Sequence, residues 1–529
     1  MRRRRALTLV CLVVLALSGC QGGSEDAERE QVLRWGFDLD NADADRVLNG
    51  FLTWGWNVFD PLVKLDEELR PVPNMAERWE WSDDGLTLTF HLRDDGRWSN
   101  GDRLTAHDFV FAWKYNLEEV ARLYRTTGPF AGIVGAEAPA RCDHETSDCA
   151  ALLDDIGVEA PDDLTLTVRF ESPSPAFLAK VGGAACLCYA PLHRESVDRY
   201  GDSWYEAGHI VTAGPFKVAS WEPEESLVLV KDESWRRARD VTLERIEVSF
   251  WREDEDAKRA FEAGELDAFF AWTVNSRHVR DVPLLLTQYA AINAERIPDP
   301  TQRRAMALAI DREQLADRDQ RGLRPATSVT VDGVPGYDRI GTRILSADSR
   351  LDEARLLMNR VEDPVEEVAL WLNETRRVIG SVVAEAWREL GMDVTTRVVE
   401  DFGEYQQLLT RGRHDAYLLG WLYDFPDAIN FLEQWRCESP GNATRFCDRR
   451  YDRLLDAASR EREEDERIEL YAQAERLLTG PEGSMHVIPL SWENLPLVVA
   501  PSVEGFHMNA MAQVDLTSVR LAAAELRAP

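Results

Sequence analysis

Between Glu367 and Glu400 the chain reads as a strand, a helix and a second strand, with Gly391 placed to end the helix. Two strands joined through a helix suggest parallel pairing, because parallel strands need a crossover connection, usually a helix. This one unit points to an α/β architecture. At 529 residues the chain is also too long for one ordinary core, so two or three lobes are expected.

A second stretch carries the candidate chemistry. Asp415 to Trp421 reads as a strand of aromatic and aliphatic residues, and Pro426 breaks it. Asp427 can then cap a helix beginning at Ala428. Asp424 falls between Tyr423 and Phe425, three residues after Trp421. A carboxylate walled by aromatics is costly unless a partner offsets its desolvation. A ligand ammonium would do so through a charge-assisted hydrogen bond. The plain alternative is a turn aspartate above a core strand.

The N-terminus reads as an export signal. Arg2 to Arg5 form a basic segment, and Ala6 to Leu17 is apolar but too short for a stable membrane span. The sequence Leu17-Ser18-Gly19-Cys20 resembles a bacterial lipobox, which implies lipidation of Cys20 after removal of residues 1–19. Residues 20–29 then form a polar tether, and the lipid is the expected membrane anchor. An exported chain meets an oxidising compartment, so Cys142 with Cys149 and Cys437 with Cys447 are expected to form local disulfides. Cys186 and Cys188 have no evident partners, and no cysteine or histidine spacing matches a zinc site. No metal and no cofactor is expected. The formal charge of -33 argues against a nucleic-acid partner, whose phosphates need a basic face.

Further along, Leu86 to Arg93 alternates apolar and polar residues as a half-exposed strand does. A turn at Ser99-Asn100-Gly101 leads to Thr105, an N-cap with Asp108 at the third helical position. Phe109, Ala112 and Trp113 follow on one helical face. The segments "Arg-Trp-Ser-Asn-Gly" and "Leu-Thr-Ala-His-Asp-Phe-Val", in this order, resemble the signature of the family 5 solute-binding subunits of ABC importers, the oligopeptide- and dipeptide-binding proteins. Further motifs continue the resemblance: Asp163 to Phe170 before a Ser-Pro-x-Pro turn, Gly214-Pro-Phe-Lys-Val, Phe261 to Ala268, and Arg304 to Arg312. Tyr451 to Thr479 reads as one long amphipathic helix, and Ile488 to Val499 as a returning strand.

The resemblance implies a type II-like periplasmic-binding-protein clamshell of two α/β lobes, with an extra domain inserted in the first. Lobe I would comprise residues 30–69, 176–286 and 489–529, the inserted domain residues 70–175, and lobe III residues 287–488. Two crossings, near Thr287 to Ala290 and near Pro489 to Trp492, suit hinge closure.

In the family's peptide binders an aspartate after a Gly-Trp pair receives the ligand α-ammonium. That position is Asp424, after Gly420 and Trp421. The backbone from Gly420 to Leu422, with Tyr423 beyond it, would pair with an extended peptide. Asp60 would stand on the opposing wall, with Tyr289 and Trp492 at the crossings. Leu418 replaces an arginine that some family members place two residues before the Gly-Trp pair, so a cation for a peptide carboxylate is missing there.

The implied partners are a peptide, a permease and an ATPase, with the binding subunit itself a monomer. Sugars, nickel chelates, haem and opines are alternative ligands on the same scaffold. A peptide-sensing receptor lipoprotein is another alternative. The sequence lacks a Gly-x-Ser-x-Gly elbow, a His-Glu-x-x-His motif and a phosphate loop, so no enzyme is expected, with a glycoside hydrolase the remote exception.

Overall fold

A computed structural model of the chain describes residues 30–38, 54–143, 149–183, 187–270, 278–319, 321–341 and 345–522. The expectations for residues 1–29, Cys20 and the tether included, lie outside the described residues, as does Cys186.

One mixed sheet of eleven strands runs through the molecule. Its strands are β1 (Val32–Asp38), β2 (Phe216–Glu222), β3 (Ser226–Lys231), β4 (Arg245–Trp251), β5 (Ala268–Phe270), β6 (Val279–Ile292), β7 (Arg324–Pro325), β8 (Glu367–Asn373), β9 (Asp393–Val399), β10 (Ala416–Leu422) and β11 (Val487–Val499). Across the sheet the order is β9-β8-β10-β6-β11-β5-β1-β4-β3-β2, with β7 beside β11. Around it lie helices α1 (Ala106–Tyr124), α2 (Phe177–Gly183), α3 (Arg377–Arg388), α4 (Ile429–Leu432), α5 (Arg449–Ala458) and α6 (Glu464–Thr479).

The unit expected between Glu367 and Glu400 forms as read. β8 and β9 are parallel, from Glu367 opposite Asp393 to Asn373 opposite Val399. α3 connects them, and Gly391 takes the left-handed conformation just beyond it, φ +90°. A separate antiparallel sheet orders Ala76–Trp81, Thr87–Leu92, Thr165–Arg169 and Val158–Asp162. α1 buries Phe109, Ala112 and Trp113. Its start is the anticipated capping box, with Thr105 N donating to Asp108 Oδ2 at 2.7 Å.

The apolar side chains divide between the two ends of the long strands. Leu284, Leu495, Leu497 and Val499 join the core that holds β1, α1 and α2. Tyr289, Val487 and Trp492 join a core with Phe431 and Trp435. Ala290, Ile292, Ile488 and Leu490 join a third cluster beneath α3. β6 and β11 therefore belong to both halves of the molecule at once, paired with each other along most of their length.

One expected element is corrected. Tyr451 to Thr479 is two helices, α5 and α6, packed side by side. A single helix of that span would be about 43 Å long and would carry one end away from the core. Folding back lets Tyr451 and Leu455 of α5 and Tyr471 and Leu478 of α6 bury in the same cluster. Disulfides join Cys142 to Cys149 and Cys437 to Cys447, with Cα separations of 6.0 and 4.4 Å. Cys188 is buried and also disulfide-bonded.

Candidate functional site

β10 has one covered edge and one largely open edge. β6 pairs with it from Ala416 to Leu422. On the other side β8 pairs only with Ala416 and Tyr417. The Leu418 carbonyl is then taken by the Tyr405 hydroxyl at 2.7 Å. Beyond Leu418 this edge has no strand partner among the described residues. Alternation along the strand decides what faces the open side. Leu418 packs beneath α3, while Leu422 is 41% exposed and Asp424 is exposed. The odd residues Tyr417 and Tyr423 turn into the core.

Asp424 is held but not neutralised. Its Oδ2 accepts from Asn430 Nδ2 at 3.1 Å, and its backbone N–H donates to Asn430 Oδ1 at 3.1 Å. Trp421 Nε1 donates to the same Oδ1 at 2.8 Å. Asn430 lies on α4 and is 2% exposed, so one buried amide fixes the carboxylate, the turn and the indole together. The turn into α4 forms because Pro426 ends the strand and Asp427 Oδ1 accepts from Ile429 N at 3.0 Å. Asp424 makes no ion pair among the described residues. Desolvation pushes its pKa above the ordinary aspartate value, while the Asn430 bond and the charge of Lys180 pull it down. Among the described residues no cation pairs with it directly.

A cation that the sequence reading missed stands at the other end of the open edge. Arg376, just before α3, donates through Nε to Gln288 Oε1 at 2.7 Å and through Nη1 to Asn373 Oδ1 at 2.8 Å. Gln288 in turn donates to Glu493 Oε1 at 2.5 Å. Arg376 Nη2 makes no hydrogen bond among the described residues. It lies 2.6 Å from where a Cβ on Gly420 would be, with Gln288 Nε2 at 2.8 Å, so a larger residue here would push both side chains aside. Burial lowers the Arg376 pKa, while the charge of Glu493, reached through Gln288, pulls it up. No sequence spacing links Arg376 to Gly420. The parallel pairing of β8 with β10 brings them together.

Four residues expected at the site have buried side chains. Asp60 is 2% exposed and bound to Arg236 through both carboxylate oxygens at 3.1 Å, with Asn74 Nδ2 at 2.7 Å. It ties three separate segments of the chain together. Tyr289 is enclosed by Phe431 and Trp435, each ring 5.4 Å away. Trp492 packs edge-on to Tyr337 at 5.6 Å and under the Arg324 guanidinium. The Tyr423 ring is fully buried, and its N–H donates to Leu285 O at 2.9 Å. Tyr289 and Trp492 are core because the two long strands that hold them carry the hydrophobic interior through the crossings. Among the described residues no helix is long and apolar enough to cross a membrane, and no cluster of three His, Cys, Asp or Glu residues could hold a metal ion.

Residues 70–443 match the bacterial extracellular solute-binding proteins, family 5 Middle. The chain is 28% identical to the probable deoxycholate-binding periplasmic protein YgiS of Escherichia coli, over 86% of each chain. It is 27% identical to the dipeptide-binding protein DppE of Bacillus subtilis, over 88% of each. Among solved structures, the periplasmic murein tripeptide-binding protein MppA in its unliganded open form superposes with a TM-score of 0.78 at 24% identity, covering 93% of this chain and 98% of that one. The two-lobed architecture is shared with that structure.

Proposed function

The chain belongs to the bacterial extracellular solute-binding proteins of family 5, and from that membership we propose that it captures short peptides at the open edge of β10 for an ABC importer. The observation that carries this reading is the unpaired strand edge bounded by an unneutralised carboxylate and a free guanidinium face. A peptide added to the edge would place its α-ammonium on Asp424 and its main chain along Leu419 to Leu422. Its carboxylate would lie toward Arg376, so Arg376 takes the part that Leu418 cannot.

From Gly420 to Asp424 an extended chain covers about 13 Å, which fits a ligand of about three to four residues. Closure of the lobes would exclude water and strengthen both end contacts. The relatives named for dipeptides and for a murein tripeptide support a peptide ligand. Lipidation at Cys20, a monomeric state and delivery to a permease with a separate ATPase complete the proposal.

A second reading has its own support. The exposed Leu422, two residues along β10 from the Gly420 position that Arg376 faces, would also suit an amphipathic carboxylate, and one relative is named for deoxycholate. Calorimetry on the chain from Gln21 onward, with two- to five-residue peptides, distinguishes the two. Binding that N-acetylation abolishes supports peptide capture through Asp424. Silence toward every peptide, together with binding of a bile-type carboxylate, replaces that reading with the second.

A further inference from the structure

The acidic turn after β10 already has a cation above it, and that cation comes from the opposite lobe. α2 is rooted in the first core by Phe177 and Val181, one turn apart and both buried. Lys180 lies between them in sequence and projects the other way. Its Nζ stands 4.9 Å from the centre of the Phe425 ring, which belongs to the second core. Where α2 ends, the lobes touch: a Cβ on Gly183 would be 2.7 Å from Pro426 Cδ.

Phe425 is flanked by Asp424 and Asp427, and Glu433 follows one helical step beyond α4. The Lys180 charge acts on all three carboxylates. It forms no direct ion pair with any of them among the described residues. Asp427 is otherwise served by Arg467 Nε at 4.0 Å and the Ile429 N–H, and Glu433 also feels Arg436. Among the described residues Asp424 has only Asn430 and Lys180.

We propose that Lys180 is a specificity-determining residue of the amino-terminal subsite, a resident ammonium that opposes the ligand's own. The inference rests on the peptide reading given above. A ligand ammonium arriving at Asp424 enters the field of a like charge held by the facing lobe. The antagonism grows when the first ligand side chain adds a second positive charge and shrinks when that side chain is acidic. Lys180 therefore weakens the preference for basic first residues that the three carboxylates of the turn would otherwise give.

The test uses Lys180→Met and Lys180→Gln in the full soluble chain, with tripeptides that differ only in the first residue: Glu, Ala or Lys. Calorimetric Kd values are compared with those of the N-acetylated forms. Both variants are expected to bind Ala-initiated peptides about three- to tenfold more tightly than the wild type, from removal of one like charge at several ångströms. The gain should be largest for Lys-initiated peptides, smallest for Glu-initiated ones, and absent for acetylated ones. A merely structural lysine would alter all four alike. Unchanged or weaker binding of the free-amine peptides overturns the proposal. Asp424→Asn tells the two readings apart. If it weakens binding while Lys180→Met has no effect, the Lys180 inference alone fails. If Asp424→Asn is silent, the peptide anchor fails and the inference falls with it.

Discussion

Replacing Asp424 by Asn separates the charge of the anchor from its shape, and the two states of the protein should respond with opposite sign. Among the described residues the Asp424 carboxylate has no ion-pair partner, and desolvation holds its pKa above the ordinary value. A raised carboxylate pKa means that ionisation is disfavoured in the fold. The resulting cost is present at neutral pH and vanishes as pH falls through that pKa. A neutral amide removes the cost, so the unliganded variant should melt no lower than the wild type. With peptide bound the charge becomes favourable.

Two unit charges in contact attract by about 4 kcal/mol at an effective dielectric of 20 and by about 1 kcal/mol in water. Asp424 is exposed in the unliganded molecule, so about 2 kcal/mol, or about thirtyfold in Kd, is the reasonable expectation. At a hundred times the wild-type Kd, ligand stabilisation then drops from about 2.7 to about 0.9 kcal/mol. Calorimetry gives the affinity and thermal melting the stability. Free-amine peptides that bind the variant within about threefold of wild type would refute the anchor. An unliganded variant that melts several degrees lower would refute it too, by showing that the carboxylate holds the fold.

Three further outcomes follow from the same geometry. Affinity for free-amine peptides should fall on acidification from neutral pH as Asp424 takes its proton, starting at a higher pH than an ordinary aspartate would set, while acetylated peptides stay flat; calorimetry across the pH range reads this. Arg376→Gln should abolish any preference for peptide acids over peptide amides, at a cost of about tenfold in Kd for the acids, or about 1.4 kcal/mol. Asp60→Asn should leave Kd unchanged yet lower the melting temperature, because it leaves the buried Arg236 without its carboxylate at a cost of about 3–5 kcal/mol.

The sequence carried those features that depend on neighbours along the chain. The strand ending at Trp421, the proline break, the cap at Asp427 and the box at Thr105 are local, and each formed within a residue or so of its expected place. The turn that holds Asp424 was legible for the same reason. What stayed hidden depends on distant pairings. Asp60 is internal because Arg236 reaches it from far along the chain, and a lone acidic position cannot announce that. Arg376 meets Gly420 only through the register of β8 on β10. Asn430 looked like any helix residue, although its spacing from Asp424 could have suggested a side chain folding back over the turn. The break between α5 and α6 follows from the size of the core they share, which periodicity does not reveal.

β11 is the last long strand to be made, yet it lies in the middle of the sheet, between β6 and β5. It supplies Leu495, Leu497 and Val499 to one half and Val487, Ile488 and Leu490 to the other. A nascent chain that stops short of Val487 therefore lacks a shared wall rather than a tail. Neither half can seal its interior first and wait for the other. A premature stop late in the message would yield no intact lobe, and such fragments would be open to proteolysis along their whole length.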